Sequence, residues 1–168
     1  MAEDDGHAFY VDRTGILLFA SALGETNPIY WDEEYARGTP LGGVIAPPTF
    51  AISSAHWNPD YSLRGIRRIP SPKPKPARAE AGAREGGAGG GNLARVLHGE
   101  QRFEYHQPLR PGMRLTVTTR PGRTWTKDGK RGGTLRFSES VSEYRDEQGA
   151  LVVTATSVGV LTEKAVEQ

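Results

Sequence analysis

The chain has 168 residues and a formal net charge of +1; 36% of its residues are hydrophobic, and it contains no cysteine. This length suits one domain with a sizeable core, so we expect a single domain over residues 1–168. The small net charge favours neither nucleic acid nor an anionic surface, and the missing cysteines exclude disulfides, thiol catalysis and cysteine-based zinc sites. The acidic N-terminus lacks an apolar run, and no stretch reaches the ~18 residues of a membrane span, so we expect a cytoplasmic protein without membrane contact.

Two helices are expected in the first third of the chain. The segment DRTGILLFASALG predicts a short helix, capped by Asp12 and stopped by Gly24. The apolar residues of this helix share one face at helical spacing: Ile16, Phe19, Ala20 and Leu23. The later segment GGVIAPPTFAISSAHW predicts a second, more buried helix, whose first turn accommodates Pro47 and Pro48.

The middle of the chain changes in composition. The segment PSPKPKPARAEAGAREGGAGGG is rich in proline and then in glycine, with almost no large apolar residue. Such a segment buries too little surface to offset the entropy of ordering it. We therefore predict a mobile loop over residues 70–92.

The last part of the chain alternates with the period of two that is typical of strands. Four such segments, GEQRFEYHQPL, RLTVTTR, GGTLRFSESVSEY and LVVTATSVGVL, are separated by the turn signals RPGM, KDGKRGG and RDEQG. The fourth is rich in β-branched residues and is expected to be a central strand. We predict a four-strand antiparallel meander covered by helices, which is an α+β domain.

Three segments together resemble the MaoC-like hydratase/dehydratase family, and most closely its N-terminal, FAS1-like dehydratase branch. They are FASALGETNPIYWDEEYA, GGVIAPPTF and LHGEQRFEYHQPLRPGMRL. The resemblance runs from about Tyr10 to Leu161 with the predicted loop as an interruption. It implies a hot-dog fold, in which an antiparallel sheet wraps around one long central helix that starts here near Pro47.

The resemblance also implies a chemistry. Members of this family add or remove water across the 2,3 bond of acyl thioesters, carried by coenzyme A or by acyl carrier protein, and need no cofactor. Water addition requires a base for the attacking water, an acid that protonates C2, and hydrogen-bond donors for the thioester oxygen. Active members share the proton transfers between Asp and His in the pattern Asp-x-Asn-Pro-x-His, and a main-chain N–H at the helix start holds the oxygen.

This chain departs from that pattern at three positions. Glu25 stands in the Asp slot and Tyr30 in the His slot, while Asn27 and Pro28 are retained. A carboxylate displaced by one methylene can cost ~100-fold in rate, and a phenol with a pKa of about 10 is a poor proton shuttle near neutral pH. Pro48 falls in the slot of the oxygen-holding donor but has no N–H, which leaves the amides of Thr49 and Phe50 as replacements.

These departures predict a non-catalytic or weakly catalytic subunit of an (R)-specific enoyl-thioester hydratase or 3-hydroxyacyl dehydratase. A second MaoC-like hot-dog subunit would supply the Asp/His pair, while this chain would shape the acyl tunnel. The residues expected to line that tunnel are Asn27, Tyr30, Gly43, Ala46, Pro48, Thr49 and Phe50. Three alternatives stay open: a self-sufficient homodimer that uses Glu25 as its base, an acyl-thioester-binding protein without chemistry, and a hot-dog thioesterase that uses Glu25 as its carboxylate.

The remaining polar candidates favour structural roles. His56, His98 and His106 lack the spacing of a metal site, so we expect no bound metal. Asn27-Pro28 on its own is also compatible with a plain turn, and the acids at positions 32–34 with a solvated first helical turn.

Overall fold

The computed structural model describes residues 6–58, residue 61, residues 96–129 and residues 133–162. The helical elements are α1 (Arg13–Ala22), a short 3-10 turn (Pro28–Tyr30), α2 (Glu33–Arg37) and a 3-10 helix (Phe50–Trp57), here called the central helix. The strands are β1 (His7–Tyr10), β2 (Val96–Tyr105), β3 (Arg114–Gly129), β4 (Gly133–Arg145) and β5 (Leu151–Thr162). The loop predicted over residues 70–92 lies outside the described residues.

Helix α1 begins and ends where the sequence predicts. The Asp12 side chain accepts a hydrogen bond of 2.7 Å from the amide of Gly15, which satisfies one free donor of the first turn. Gly24 adopts a φ of +70° that favours glycine, and the chain closes the helix with bonds from the amides of Gly24 and Glu25 to the carbonyls of Ser21 and Ala20. Leu23, which we expected on the buried face, is exposed because it is the C-cap residue beyond the last turn.

The strands form one five-stranded sheet in the order β1-β3-β4-β5-β2, with antiparallel neighbours. The predicted meander is correct for β3, β4 and β5 and wrong for β2, which pairs with β5 instead of β3. The reason is β1, which the sequence analysis did not predict. This short strand pairs with residues 114–117 at the start of β3 and occupies the place that β2 would need for a meander.

The core lies between the sheet and the helical segments. Val117, Tyr144 and Val153 pair across β3, β4 and β5 and are buried on the face that the helices cover, here called the helix face. Phe9 of β1 and Phe50 of the central helix close this core, with their ring centroids 5.8 Å apart. Neighbouring strands bury together the side chains that point to the same face of the sheet. The contact between Phe9 and Phe50 therefore holds the central helix over the first half of β3.

The central helix is shorter than expected and is a 3-10 helix of eight residues. It ends at Asn58, whose ψ of 119° is extended, because the residue before a proline disfavours the helical region and Pro59 follows. The Tyr144 hydroxyl donates to the carbonyl of Ala51 at 2.9 Å, and its oxygen lies 2.9 Å from the hydroxyl of Ser54. These two bonds fasten the helix to the middle of the sheet.

The opposite face of the sheet, here called the outer face, carries a buried carboxylate. The side chain of Glu139 on β4 is only 6% exposed and binds Arg123 through bonds of 2.7 and 3.0 Å and Arg102 through one of 2.9 Å. Nearby, the rings of Trp125 and Phe137 are stacked with centroids 5.0 Å apart. The arginine contacts, with the Arg123 hydrogen bonds first, hold the pKa of Glu139 at about 2, below its ordinary 4.5.

Replacing Tyr144 by phenylalanine tests the attachment of the central helix. We expect Tyr144→Phe to lower the free energy of unfolding by about 1–3 kcal/mol, because a buried hydroxyl of Ser54 and a carbonyl lose their partner. Chemical denaturation measures this change. Tyr35→Phe is the control, since the Tyr35 side chain is half exposed; equal losses in both variants would contradict the attachment.

The Glu139 cluster gives a pH-dependent prediction. A carboxyl whose folded pKa is depressed stabilises the fold above its unfolded pKa and loses that contribution as pH falls through the folded value. The destabilisation by Glu139→Gln should therefore be largest above about pH 4.5 and shrink as the pH falls toward 2. The exposed pair of Glu147 with Arg114 provides the control, Glu147→Gln, whose effect should stay small throughout.

Candidate functional site

Glu25 follows directly after the end of α1. Its amide donates to the carbonyl of Ala20 at 3.0 Å as part of the closing turn, so the helix stop fixes its backbone. Glu25 is half-buried and comes just before the segment that carries Asn27 and Tyr30. The position that the resemblance assigns to the base is thus held by backbone geometry, not by a loop that is free to move.

Asn27 and Asp32 have local structural tasks. The Asn27 side chain accepts a hydrogen bond of 3.1 Å from the amide of Ile29 and starts the 3-10 turn, in which Pro28 occupies the first position. The Asp32 side chain accepts one of 2.9 Å from the amide of Tyr35 and caps α2. The plain-turn interpretation therefore accounts for the Asn27 side chain in the isolated chain.

Tyr30 lies in the core, with 9% of its surface exposed. Burial is the main cause that raises the pKa of its phenol above the ordinary 10.0, and the negative charge of Glu25 raises it further. Glu25 and Tyr30 are therefore close enough to interact electrostatically. The phenol keeps its proton at neutral pH, so it can donate a hydrogen bond but accepts no proton there.

The start of the central helix contains few amides that could act as hydrogen-bond donors. Pro47 and Pro48 have no N–H, and the amide of Phe50 donates to the Pro47 carbonyl at 2.9 Å. The Thr49 amide makes no hydrogen bond within the described part of the chain, and Thr49 is exposed. Of the two replacement donors expected from the sequence, Thr49 is thus the one that is available.

Tyr105, the last residue of β2, contacts this turn and was not among the site residues predicted from the sequence. Its hydroxyl donates to the Pro48 carbonyl. The alternation of β2 placed Phe103 and Tyr105 on one face, which was the available signal, but nothing in the sequence indicated the partner. Burial raises the pKa of Tyr105, so this donor stays protonated and holds the turn.

The other predicted lining residues divide into core and surface. Ala46 and Phe50 are buried, and the Ala46 amide donates to the carbonyl of Leu109 at 2.8 Å. Gly43 is half-buried beside Arg110, where an added Cβ would lie 3.4 Å from a guanidinium nitrogen. Of the predicted lining residues, Asn27, Pro48 and Thr49 are exposed. In the described residues, no hydrogen bond or ring contact joins the Glu25–Tyr30 pair to the Pro48–Thr49 turn.

The histidines do not extend the site. His106 places Nε2 3.4 Å from the hydroxyl of Thr154, and His56 lines an open surface cavity of about 370 Å³ between α1 and the central helix, beside Trp57. Within residues 6–58, 61, 96–129 and 133–162, no three His, Asp or Glu side chains come together as a metal site. Over the same residues, none of the helices has the length and apolar character that a membrane crossing requires.

Comparison with known proteins places this chain in a family. A family model described as the FAS1-like, dehydratase domain region matches residues 3–155. The chain belongs to this family. A Streptomyces griseus relative named UPF0336 protein is 35% identical over 148 residues, which cover 88% of this chain and 81% of the relative.

A second relative has a functional name. The probable enoyl-CoA hydratase alpha subunit of Thermomonospora curvata is 30% identical over 139 residues, which cover 81% of this chain but only 40% of that longer protein.

The fold is that of the hot-dog proteins. The ChsH1-ChsH2 complex of Mycobacterium tuberculosis superimposes with a TM-score of 0.65 at 19% identity, covering 99% of this chain and 87% of the matched one. The sheet and the few helices of this chain agree with the MaoC-like architecture. The hot-dog fold and the MaoC-like resemblance expected from the sequence are therefore confirmed.

The electrostatic link between Glu25 and Tyr30 can be measured. We expect Glu25→Gln to lower the pKa of Tyr30 yet leave it above 10.0, because burial is the larger cause and persists. The measurement is the phenolate absorbance during alkaline titration, with Tyr30→Phe used to subtract the other five tyrosines of the six. Glu34→Gln, on the exposed surface of α2, should leave the Tyr30 titration unchanged, and an equal shift in this control would refute the link.

Proposed function

We propose that this chain is a subunit of an (R)-specific enoyl-thioester hydratase or 3-hydroxyacyl-thioester dehydratase. It shapes the acyl-binding tunnel, and a second MaoC-like hot-dog subunit supplies the Asp/His pair. The substrate is an acyl-CoA or an acyl carrier protein thioester, and the enzyme works in the cytoplasm. The observation that carries the proposal is the buried, protonated phenol of Tyr30 in the slot where active relatives place a histidine.

The chemistry of the reaction supports a partner. Hydration needs one group that accepts a proton from water and another that delivers a proton to C2 near neutral pH. Tyr30 cannot accept a proton there, because burial and the Glu25 charge both raise its pKa. Glu25 alone would have to serve both steps.

The helix start supports the same conclusion. An oxyanion needs donors that are oriented before the reaction, and removing one such donor from an enzyme costs about 100- to 1000-fold in rate. Pro47 and Pro48 contribute none and the Phe50 amide is already bonded, so among the described residues the exposed Thr49 offers the replacement donor at this turn. One exposed amide can bind a thioester carbonyl in the ground state, which suits a binding role better than catalysis.

The similar proteins also support an assembly. The Thermomonospora relative is named as an alpha subunit, and the ChsH1-ChsH2 structure is a complex of two named chains. A partner hot-dog chain fits both. The rival function is the self-sufficient homodimer, and the proximity of Glu25 to Tyr30 is the observation in its favour, since a phenol can orient a substrate beside a carboxylate.

The decisive test is hydration of crotonyl-CoA by the purified chain alone. We expect no turnover above background, and no change in Glu25→Gln, because Tyr30 cannot accept a proton at neutral pH and the Pro48 turn lacks the usual donor for the thioester oxygen. Co-purification with a MaoC-like chain that carries Asp-x-Asn-Pro-x-His should give activity. Turnover by the isolated chain that is abolished by Glu25→Gln would establish the homodimeric enzyme instead, while binding of crotonyl-CoA without activity in any complex would indicate a binding protein.

A further inference from the structure

The chain enters the central helix through a type I turn over residues 47–50. The amide of Phe50 donates to the carbonyl of Pro47 at 2.9 Å and closes the turn. Thr49, its third residue, has a φ of −101° and a ψ of 1°, close to the values of about −90° and 0° that define type I. Pro48 is the second residue, a position that proline favours because its ring fixes φ near −65°.

A turn of this kind has a second state, type II, with the same closing hydrogen bond. In type II the peptide between the second and third residues is rotated by about 180°, so that φ of the third residue becomes about +80°. The carbonyl and the N–H of a planar trans peptide point in opposite directions. The rotation would therefore exchange the positions of the Pro48 carbonyl and the Thr49 amide.

The backbone is held on both sides of this peptide. Before the turn, the Ala46 amide donates to the carbonyl of Leu109 at 2.8 Å. After the turn, the Tyr144 hydroxyl donates to the carbonyl of Ala51 at 2.9 Å. The Pro48–Thr49 peptide can thus change its orientation while both flanking segments stay in place.

Tyr105 contacts this peptide at its carbonyl oxygen. The Tyr105 hydroxyl donates a hydrogen bond to the Pro48 carbonyl. The residue itself is fixed at the end of β2, where it pairs with Val153 and where the next amide, that of His106, donates to the carbonyl of Val152 at 2.9 Å. After a rotation of the peptide the phenol would face an N–H, and its own proton would lose the acceptor. The hydroxyl therefore favours the type I orientation.

The side chain of Thr49 favours the same orientation. A type II turn needs a positive φ at its third position, which suits glycine and is unfavourable for a β-branched residue. Two features thus oppose the rotation, Thr49 within the turn and the phenol of Tyr105 on β2. In the orientation that they hold, the Thr49 N–H points away from the Tyr105 hydroxyl.

We infer that Tyr105 is a positioning residue that holds the Pro48–Thr49 peptide in the type I orientation, so that the Thr49 N–H and not the Pro48 carbonyl is presented to an acyl thioester. The thioester in this inference rests on the proposed function, whereas the orientation of the peptide does not. A rotated peptide would place an acceptor where the thioester oxygen needs a donor. Tyr105 thereby acts on thioester affinity through the peptide, without contacting the ligand.

Nuclear magnetic resonance tests the orientation without any ligand. Thr49→Gly removes one of the two opposing features, and Pro-Gly is the sequence that type II turns favour. In type II the Hα of Pro48 lies against the amide hydrogen of residue 49 and gives a strong nuclear Overhauser effect, whereas in type I this effect is weak. We expect a weak effect in Thr49→Gly, where the phenol still holds the carbonyl, and a strong one in Thr49→Gly combined with Tyr105→Phe.

Tyr35→Phe in the Thr49→Gly background is the matched control. It removes a phenol hydroxyl from a half-exposed side chain of α2 and should leave the Overhauser effect weak. Tyr105→Phe keeps the aromatic ring of Tyr105, so its packing against the core is retained.

Calorimetric titration with crotonyl-CoA tests the consequence for binding. Tyr105→Phe alone should change the affinity by about twofold at most, because Thr49 still opposes the rotation. In the Thr49→Gly background the same substitution should lower the affinity by about tenfold or more, because the thioester oxygen loses its donor and meets a carbonyl. A merely structural role of Tyr105 would weaken binding equally in both backgrounds, since independent effects add.

Three results would overturn the inference: a strong Overhauser effect in Thr49→Gly alone, a weak one in the combined variant, or equal losses of affinity from Tyr105→Phe in the two backgrounds. If the unmodified chain binds no crotonyl-CoA, the proposed ligand is wrong. The Overhauser measurement then still decides whether Tyr105 holds the peptide.

Discussion

The hydroxyl of Tyr144 is the contact on which the arrangement of the helical layer depends. It binds the carbonyl of Ala51 and the hydroxyl of Ser54, and both groups are on the central helix. A 3-10 helix of eight residues has little stability of its own, because its hydrogen-bond geometry is poor. Its position therefore comes from the sheet: from Tyr144 beneath it and from the packing of Phe50 against Phe9.

The double proline removes two hydrogen-bond donors from the start of this anchored helix. Pro47 is buried and Pro48 is exposed, and neither offers an amide. Tyr105 binds the Pro48 carbonyl, so the turn is held from the edge strand as well as from the core. Thr49 is exposed, and its amide makes no hydrogen bond to the described residues.

Local signals in the sequence were enough for some elements and not for others. The caps of α1 were predictable because Asp12 and Gly24 act on neighbouring residues only. Strand β1 has four residues and follows an acidic stretch, so its alternation is too short to predict a strand. The place of β2 in the sheet depends on β1 occupying the start of β3, which is a competition between distant segments. The central helix ends just before Pro59, so its end could have been predicted from this local signal.

The site was predictable to a similar extent. The resemblance located Glu25, Tyr30 and Pro48, but not the burial of Tyr30 or the hydrogen bond from Tyr105, because both depend on tertiary packing. That burial gives the position of Tyr30 a structural role. Tyr30 packs in the core, and Asn27 and Asp32 cap the turns around it, so each position retains a structural task. The packing of Tyr30 and the two caps are therefore features that folding alone would preserve.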